Sequence, residues 1–172
     1  MAAPVTIRPA RLADRVALLS LWQSFIDEQS AFDPRFARAD DAGERWHNDF
    51  PHWLGDAGMT FLVAEAATSL VGFVFAQRWW PPPIYAGPEE VYLNELYVVP
   101  AARGHGVGTR LVAAVQDWAA SVGAARLRLG VLARNAPGQA FWARQQAEAL
   151  YTILVLPVPE APLAPPRARL GF

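Results

Sequence analysis

The chain of 172 residues contains no cysteine. This excludes disulfides, thiolate metal sites and a cysteine nucleophile, and with them covalent thioester transfer through cysteine. Lysine is absent as well, all 15 basic residues being arginine. A Walker phosphate loop, which needs Gly-Lys-Ser/Thr, therefore cannot be built. No apolar run reaches the roughly 18 residues that cross a bilayer, and residues 1–6 lack the basic start and apolar stretch of a signal peptide. A cytoplasmic protein without a membrane partner is the expectation. Charge is also scarce: 18% of residues are charged and the net charge is −1, which gives no electrostatic basis for general nucleic-acid binding. His47, His52 and His105 show no ligand spacing, so no metal is implied.

Apolar residues are plentiful, at 53% with 12% aromatic. Such a chain has the material for one core and lacks the length for two, so residues 1–172 read as a single domain. A strand over 5–8 precedes a helix over 14–29, where Leu18, Trp22, Phe25 and Ile26 share one face. A short helix between 40 and 54 carries Trp46, Phe50 and Trp53 at helical spacing. Runs at 60–66 and 70–78 predict a β-hairpin, and 79–83, with Trp79 and Trp80 before three prolines, predicts a loop. A strand over 90–99 ends at Pro100. Then Val107, Leu111, Val115, Trp118 and Val122 mark a helix stopping near Gly123. A strand over 126–132, a helix over 137–146 and a last strand over 150–156 complete a core of about 4–156, and residues 157–172 form a proline-rich tail.

The chemistry concentrates at Arg103-Gly104-His105-Gly106-Val107-Gly108, between a strand and a helix. A helix N-terminus presents unpaired N–H groups and partial positive charge, and glycines before it let an anion approach the backbone. Arg103 and Arg110 are near enough in sequence to add full charges. A dinucleotide fingerprint would need glycine at 109, where Thr109 stands, and the remaining chain is short for a second half. An NADP-binding fragment using Arg134 stays open as a minor reading, as does a simple flexible turn.

The run Tyr92-Leu93-Asn94-Glu95-Leu96-Tyr97-Val98-Val99-Pro100, followed by the glycine loop, resembles the signature of the GNAT superfamily of acyl-CoA-dependent N-acetyltransferases. The likeness extends to Asn135-Ala136-Pro137-Gly138-Gln139-Ala140-Phe141-Trp142 and to the opening Val5-Thr6-Ile7-Arg8-Pro9-Ala10. It implies an α/β fold, mixed and α+β-like. Six to seven mostly antiparallel strands would be flanked by about four helices, the fourth and fifth strands splayed. It further implies that acetyl-CoA is the cosubstrate. The backbone of Arg103, Gly104, His105, Gly106, Val107, Gly108 and Thr109 would hold its pyrophosphate, and Leu96, Tyr97 and Val98 would bond the pantetheine arm. Asn135 would contact the same arm, unless it caps the next helix. Where the family often has a tyrosine that protonates the leaving thiolate, this chain has Trp142, which packs beside the coenzyme or in the core. Tyr97 and Tyr151 are substitutes to consider.

Acetyl transfer to an amine requires a group that removes its proton. Glu95 is the candidate base. Strict alternation places it with Val91, Leu93 and Tyr97, where apolar neighbours would raise its pKa; a strand bulge would change that parity. Asp33, Trp46, Phe50, Trp79 and Trp80 are candidate acceptor contacts, the aromatics being equally readable as core. Residues 1–102 hold 13 acids and 7 arginines, and residues 103–172 hold 3 acids and 8 arginines, an asymmetry that suits a cationic amine on one side and an anionic coenzyme on the other. The reading is an N-acetyltransferase acting by direct attack in a ternary complex on a small cationic or peptide amine, with homodimerisation an option. The alternative is a non-catalytic acyl-CoA sensor or scaffold.

Overall fold

In the structure, a computed structural model describing residues 4–159, each strand is placed by which of its faces is apolar. The order is β1 (Val5–Pro9), α1 (Arg15–Phe32), α2 (Ala42–Gly55), β2 (Met59–Ala66), β3 (Ser69–Trp79), β4 (Glu90–Val98), α3 (Val107–Ser121), β5 (Arg126–Leu129) and α4 (Ala136–Arg144), with short 3₁₀ turns at Leu12–Asp14, Pro34–Phe36 and Pro100–Ala102. The five strands form one sheet in sequential order. Pairs β1–β2, β2–β3 and β3–β4 are antiparallel, and β4–β5 is parallel.

Alternate strand residues feed two cores. On one face Leu62, Ala64, Val74, Ala76, Val91 and Leu93 meet Val107, Leu111, Val115 and Ala119 of α3. Their spacing is the i, i+4, i+8 stripe that locks a helix onto a sheet, and each buried Leu or Val contributes roughly 1.5–3 kcal/mol. On the other face Phe61, Val63, Phe73, Phe75 and Tyr97 pack under Leu18 of α1 and Trp46 and Phe50 of α2. The β2–β3 turn carries Ala67 at φ 53°, a left-handed residue where glycine was lacking.

The observed sheet has five strands against the six to seven expected. The predicted strand over 150–156 has no regular secondary structure and no strand partner among the described residues, and Leu150, Tyr151, Ile153, Leu154, Val155 and Leu156 are exposed. High β-propensity describes fit to a pleated surface and supplies no edge to pair with; β5 offers only four residues. Trp79 belongs to β3 rather than to the following loop, because it pairs with Glu90 of β4; its ring is covered by Arg128, whose guanidinium carbon lies 4.3 Å from the ring centroid. Among the described residues no helix is long and apolar enough to cross a membrane, and no cluster of His, Cys, Asp or Glu has the make-up of a metal site. Residues 160–172, most of the expected tail, lie outside the described residues.

Candidate active site

Strands β4 and β5 begin together and then part. Glu90 and Arg126 are paired in register, as are Leu93 and Leu129, where β5 ends. The joined end is fastened by Glu90, 1% exposed, which accepts hydrogen bonds from Arg126 and from Arg128 Nε at 2.6 Å. Burial pushes the Glu90 carboxyl up, but the bonds from Arg128 and Arg126 outweigh it and the net shift is downward. Beyond Leu93, β4 continues along β3 alone, Leu96, Tyr97 and Val98 facing Val74, Phe73 and Gly72. One edge of this stretch lacks a strand neighbour.

Glu95 stands at that divergence. The β3–β4 register slips between Phe75 and Ala76, whose partners are Glu95 and Leu93, so Asn94 is an extra residue. Such a bulge reverses side-chain parity. Val91 and Leu93 point to the α3 face, as do Leu96 and Val98, whereas Tyr97 lies among the aromatics under α1 and α2. Glu95 shares Tyr97's side and receives the Trp22 indole of α1, Nε1 to Oε1, at 3.0 Å. The expected company of Val91 and Leu93 is thus corrected by one residue of bulge. Burial pushes the half-buried Glu95 carboxyl up to about 7, against the Trp22 hydrogen bond, which pulls it down. A carboxylate poised there takes protons at neutral pH.

The glycine loop follows from the same strand. Gly104 and Gly106 adopt φ +78° and +76°, the left-handed region that costs other residues about 1–2 kcal/mol, and a Cβ on either would meet open space. Among the described residues, the backbone N–H groups of Gly104, His105, Gly106, Val107, Gly108 and Thr109 donate to nothing; the first helical bond of α3 runs from Arg110 N to Gly106 O at 3.0 Å. A row of free donors at the start of a fifteen-residue helix, reachable because no side chain stands before them, fits a pyrophosphate. The arginines play a different part from the one expected. Arg103 donates to Glu28 at 2.7 Å and to the Val98 carbonyl at 2.8 Å, and Arg110 donates to the Val5 carbonyl at 2.7 Å. They brace the loop and the sheet edge. Gly108 is required for another reason: a Cβ there would lie 3.2 Å from the Phe141 ring, so its absence lets α4 pack against α3.

The chain matches the acetyltransferase (GNAT) family over residues 21–147. It belongs to that family. It is also 42% identical over 142 residues to mouse thialysine N-epsilon-acetyltransferase, covering 77% of this chain and 78% of the relative. An aminoglycoside N-acetyltransferase solved with CoA has the same fold, with a TM-score of 0.72 at 19% identity over 92% of this chain and 97% of the other. So does a ribosomal-protein-alanine N-acetyltransferase from Brucella melitensis, with a TM-score of 0.69 at 22% identity over 90% and 100%. The protein is an acetyl-CoA-dependent N-acetyltransferase, and the reading as a sensor without activity gives way.

The remaining candidates of this acetyltransferase fall into three groups. Trp46 and Phe50 are 3% and 0% exposed and stack on one another at 4.9 Å, so they are core and do not line an open acceptor pocket. Trp79 lies under Arg128, Trp80 under Arg78 at 5.1 Å, and Asp33 caps the turn Pro34–Phe36 while paired to Arg35, which with the Arg35 backbone N–H brings its carboxyl down to about 2. Asn135 Oδ1 accepts from Gly138 N at 2.8 Å and so caps α4, and the Trp142 indole packs against the α3 core beside Phe141. Tyr97 gives its hydroxyl to Glu28 at 3.3 Å, and burial raises its pKa, with the Glu28 charge adding to the rise; Tyr151 lies exposed near Arg128.

Three residues escaped the sequence reading. Trp22 was legible as a buried-face aromatic of α1, but nothing local indicates that its N–H reaches β4. Glu28 and Glu90 find their arginines 75 and 36 to 38 positions away, distances over which single-sequence patterns carry no signal.

Proposed function

We propose that this acetyltransferase moves an acetyl group directly from acetyl-CoA to a primary amine, with Glu95 as the base. The observation that carries it is the Glu95 carboxyl at the divergence of β4 and β5, brought to about 7 and held by Trp22. Acetyl-CoA supplies the thioester whose acyl carbon the amine attacks. Residues 104–109 hold the pyrophosphate through free N–H groups, Arg103 bracing the loop with its own N–H spent on the Pro100 carbonyl; the unpaired edge of Leu96, Tyr97 and Val98 aligns the pantetheine as an added strand would, and Asn135 contacts that arm. Glu95 accepts a proton from the bound ammonium. The freed nitrogen pair forms the N–C bond as the C–S bond breaks, and the electron pair leaves on sulfur. A thiol is acidic enough to depart without a strong acid, so Trp142 in place of tyrosine does not halt the reaction.

The acceptor is a small cationic amine or a peptide amine. Support comes from the acid-rich first half of the chain and from the mouse relative, whose name places its chemistry on the side-chain amine of an amino acid. Thiol release over a panel of amines tests the reading. Glu95→Gln, which keeps an oxygen for the Trp22 bond, lowers kcat at least about 100-fold with little change in the KM for acetyl-CoA. Unchanged turnover in that variant would sink the assignment of the base.

A further inference from the structure

Glu95 closes a circuit of aromatic side chains. Trp22, which bonds it, lies 6.0 Å from Trp46 between ring centroids; Trp46 lies 5.9 Å from Trp53; Trp53 lies 5.3 Å from Phe75; and Phe75 is the β3 register partner of Glu95. Trp46 and Phe75 are buried, whereas Trp22, Trp53 and Glu95 are half-buried and are the members of the circuit that solvent reaches. Four other rings carry the protein's own cations: Arg78 lies over Trp80, Arg103 over Tyr97, and Arg128 over Trp79 and Tyr151. Among the described residues no guanidinium covers Trp22 or Trp53. The indole bonded to the Glu95 carboxylate and the indole two ring contacts away are half-exposed and carry none of the protein's own cations, which such rings attract.

A second observation falls in the same place. Trp46 Nε1 is the one buried side-chain polar atom among the described residues without a hydrogen-bond partner. Leaving such a donor unmet costs about 1–3 kcal/mol. Trp46 itself is core, and its unmet donor is a polar demand left open next to both Trp22 and Trp53.

We propose that Trp22 and Trp53, together with the Glu95 carboxylate, form a cation site that receives the acceptor's ammonium, and that the enzyme selects amines whose charge is carried by a compact alkyl body. This rests on the reading of Glu95 as the base and adds the acceptor's chemical class. A neutral molecule of the same shape gains neither the π-face nor the carboxylate attraction.

Choline and its uncharged carbon isostere 3,3-dimethyl-1-butanol test the site, since choline cannot be acetylated on nitrogen. Each is titrated into the full-length protein, following tryptophan fluorescence and inhibition of acetyl transfer. Choline binds, competes with the amine, and exceeds the isostere at least about tenfold; Trp53→Leu erases most of that preference, and Trp53→Phe keeps part of it. Equal affinity for the two probes, or an undiminished preference in Trp53→Leu, overturns the site. Should Trp53→Leu fail to fold by circular dichroism, the wild-type comparison alone decides. The two readings fail separately: Glu95→Gln with full turnover removes the base, whereas loss of probe discrimination in the wild type removes the cation site even if Glu95→Gln is inactive.

Discussion

The indole Nε1 of Trp22 donates to Oε1 of Glu95 at 3.0 Å, linking α1 to β4 across 73 positions of sequence. The bond favours the ionised carboxylate and so opposes burial, which favours the neutral acid. The pH dependence of kcat/KM should therefore rise through about 7 in the wild type. Trp22→Phe keeps an aromatic ring, loses the donor and moves that limb to higher pH. A limb that stays put in Trp22→Phe, measured from pH 5.5 to 9, would show that Glu95 does not govern the profile.

The same carboxyl should be a cost to folding. With a folded pKa of about 7 against an ordinary 4.5, the folded protein retains a proton that the unfolded chain has released. Stability is unaffected below the ordinary value, declines as pH rises through this window, and is fully reduced above it. Glu95→Gln carries no such penalty. Its melting temperature relative to wild type should be higher at pH 8 than at pH 5, and thermal scans at the two values check the sign.

Glu90 has the opposite linkage. Its net downward shift means that its contribution is present above the ordinary carboxyl range and is lost as pH falls below it. Glu90→Ala leaves Arg128 without its buried partner and should destabilise the fold by on the order of 3 kcal/mol in urea titrations. It should also raise the KM for acetyl-CoA, because the joined end sets where β4 and β5 separate.

Gly106 and Gly108 should respond differently to alanine. At Gly106 the new Cβ meets open space but a φ of +76°, so stability falls by roughly 1–2 kcal/mol and the KM for acetyl-CoA rises as the methyl enters the ligand's approach. At Gly108 the Cβ presses on Phe141 at 3.2 Å and shifts α4. Denaturation curves beside acetyl-CoA saturation curves separate the two effects.

What the sequence made legible is what depends on neighbours in the chain. The alternation of β2 and β3, the stripe from Val107 to Val122 and the glycines before it each report a local geometry, and all appear in the fold. The parity of Glu95 was not legible, because a bulge is decided by how two strands settle against each other. Nor were the duties of Arg103, which depend on Glu28 from a distant helix. The run over 150–156 misled for a related reason: apolar, β-prone residues state a preference, and whether an edge is available to satisfy it is a property of the whole sheet.

The extra residue at Asn94 gives β4 two phases. Before it, odd-numbered side chains face α3; after it, even-numbered ones do. In the proposed reaction the unpaired edge and Glu95 therefore serve opposite substrates from adjacent positions of a single strand. Because the change of phase is made by one added residue and not by the identity of its side chain, substitution at Asn94 leaves Glu95 on Tyr97's side of the sheet. The position that gives the strand its two phases is in that sense one that need not touch either substrate.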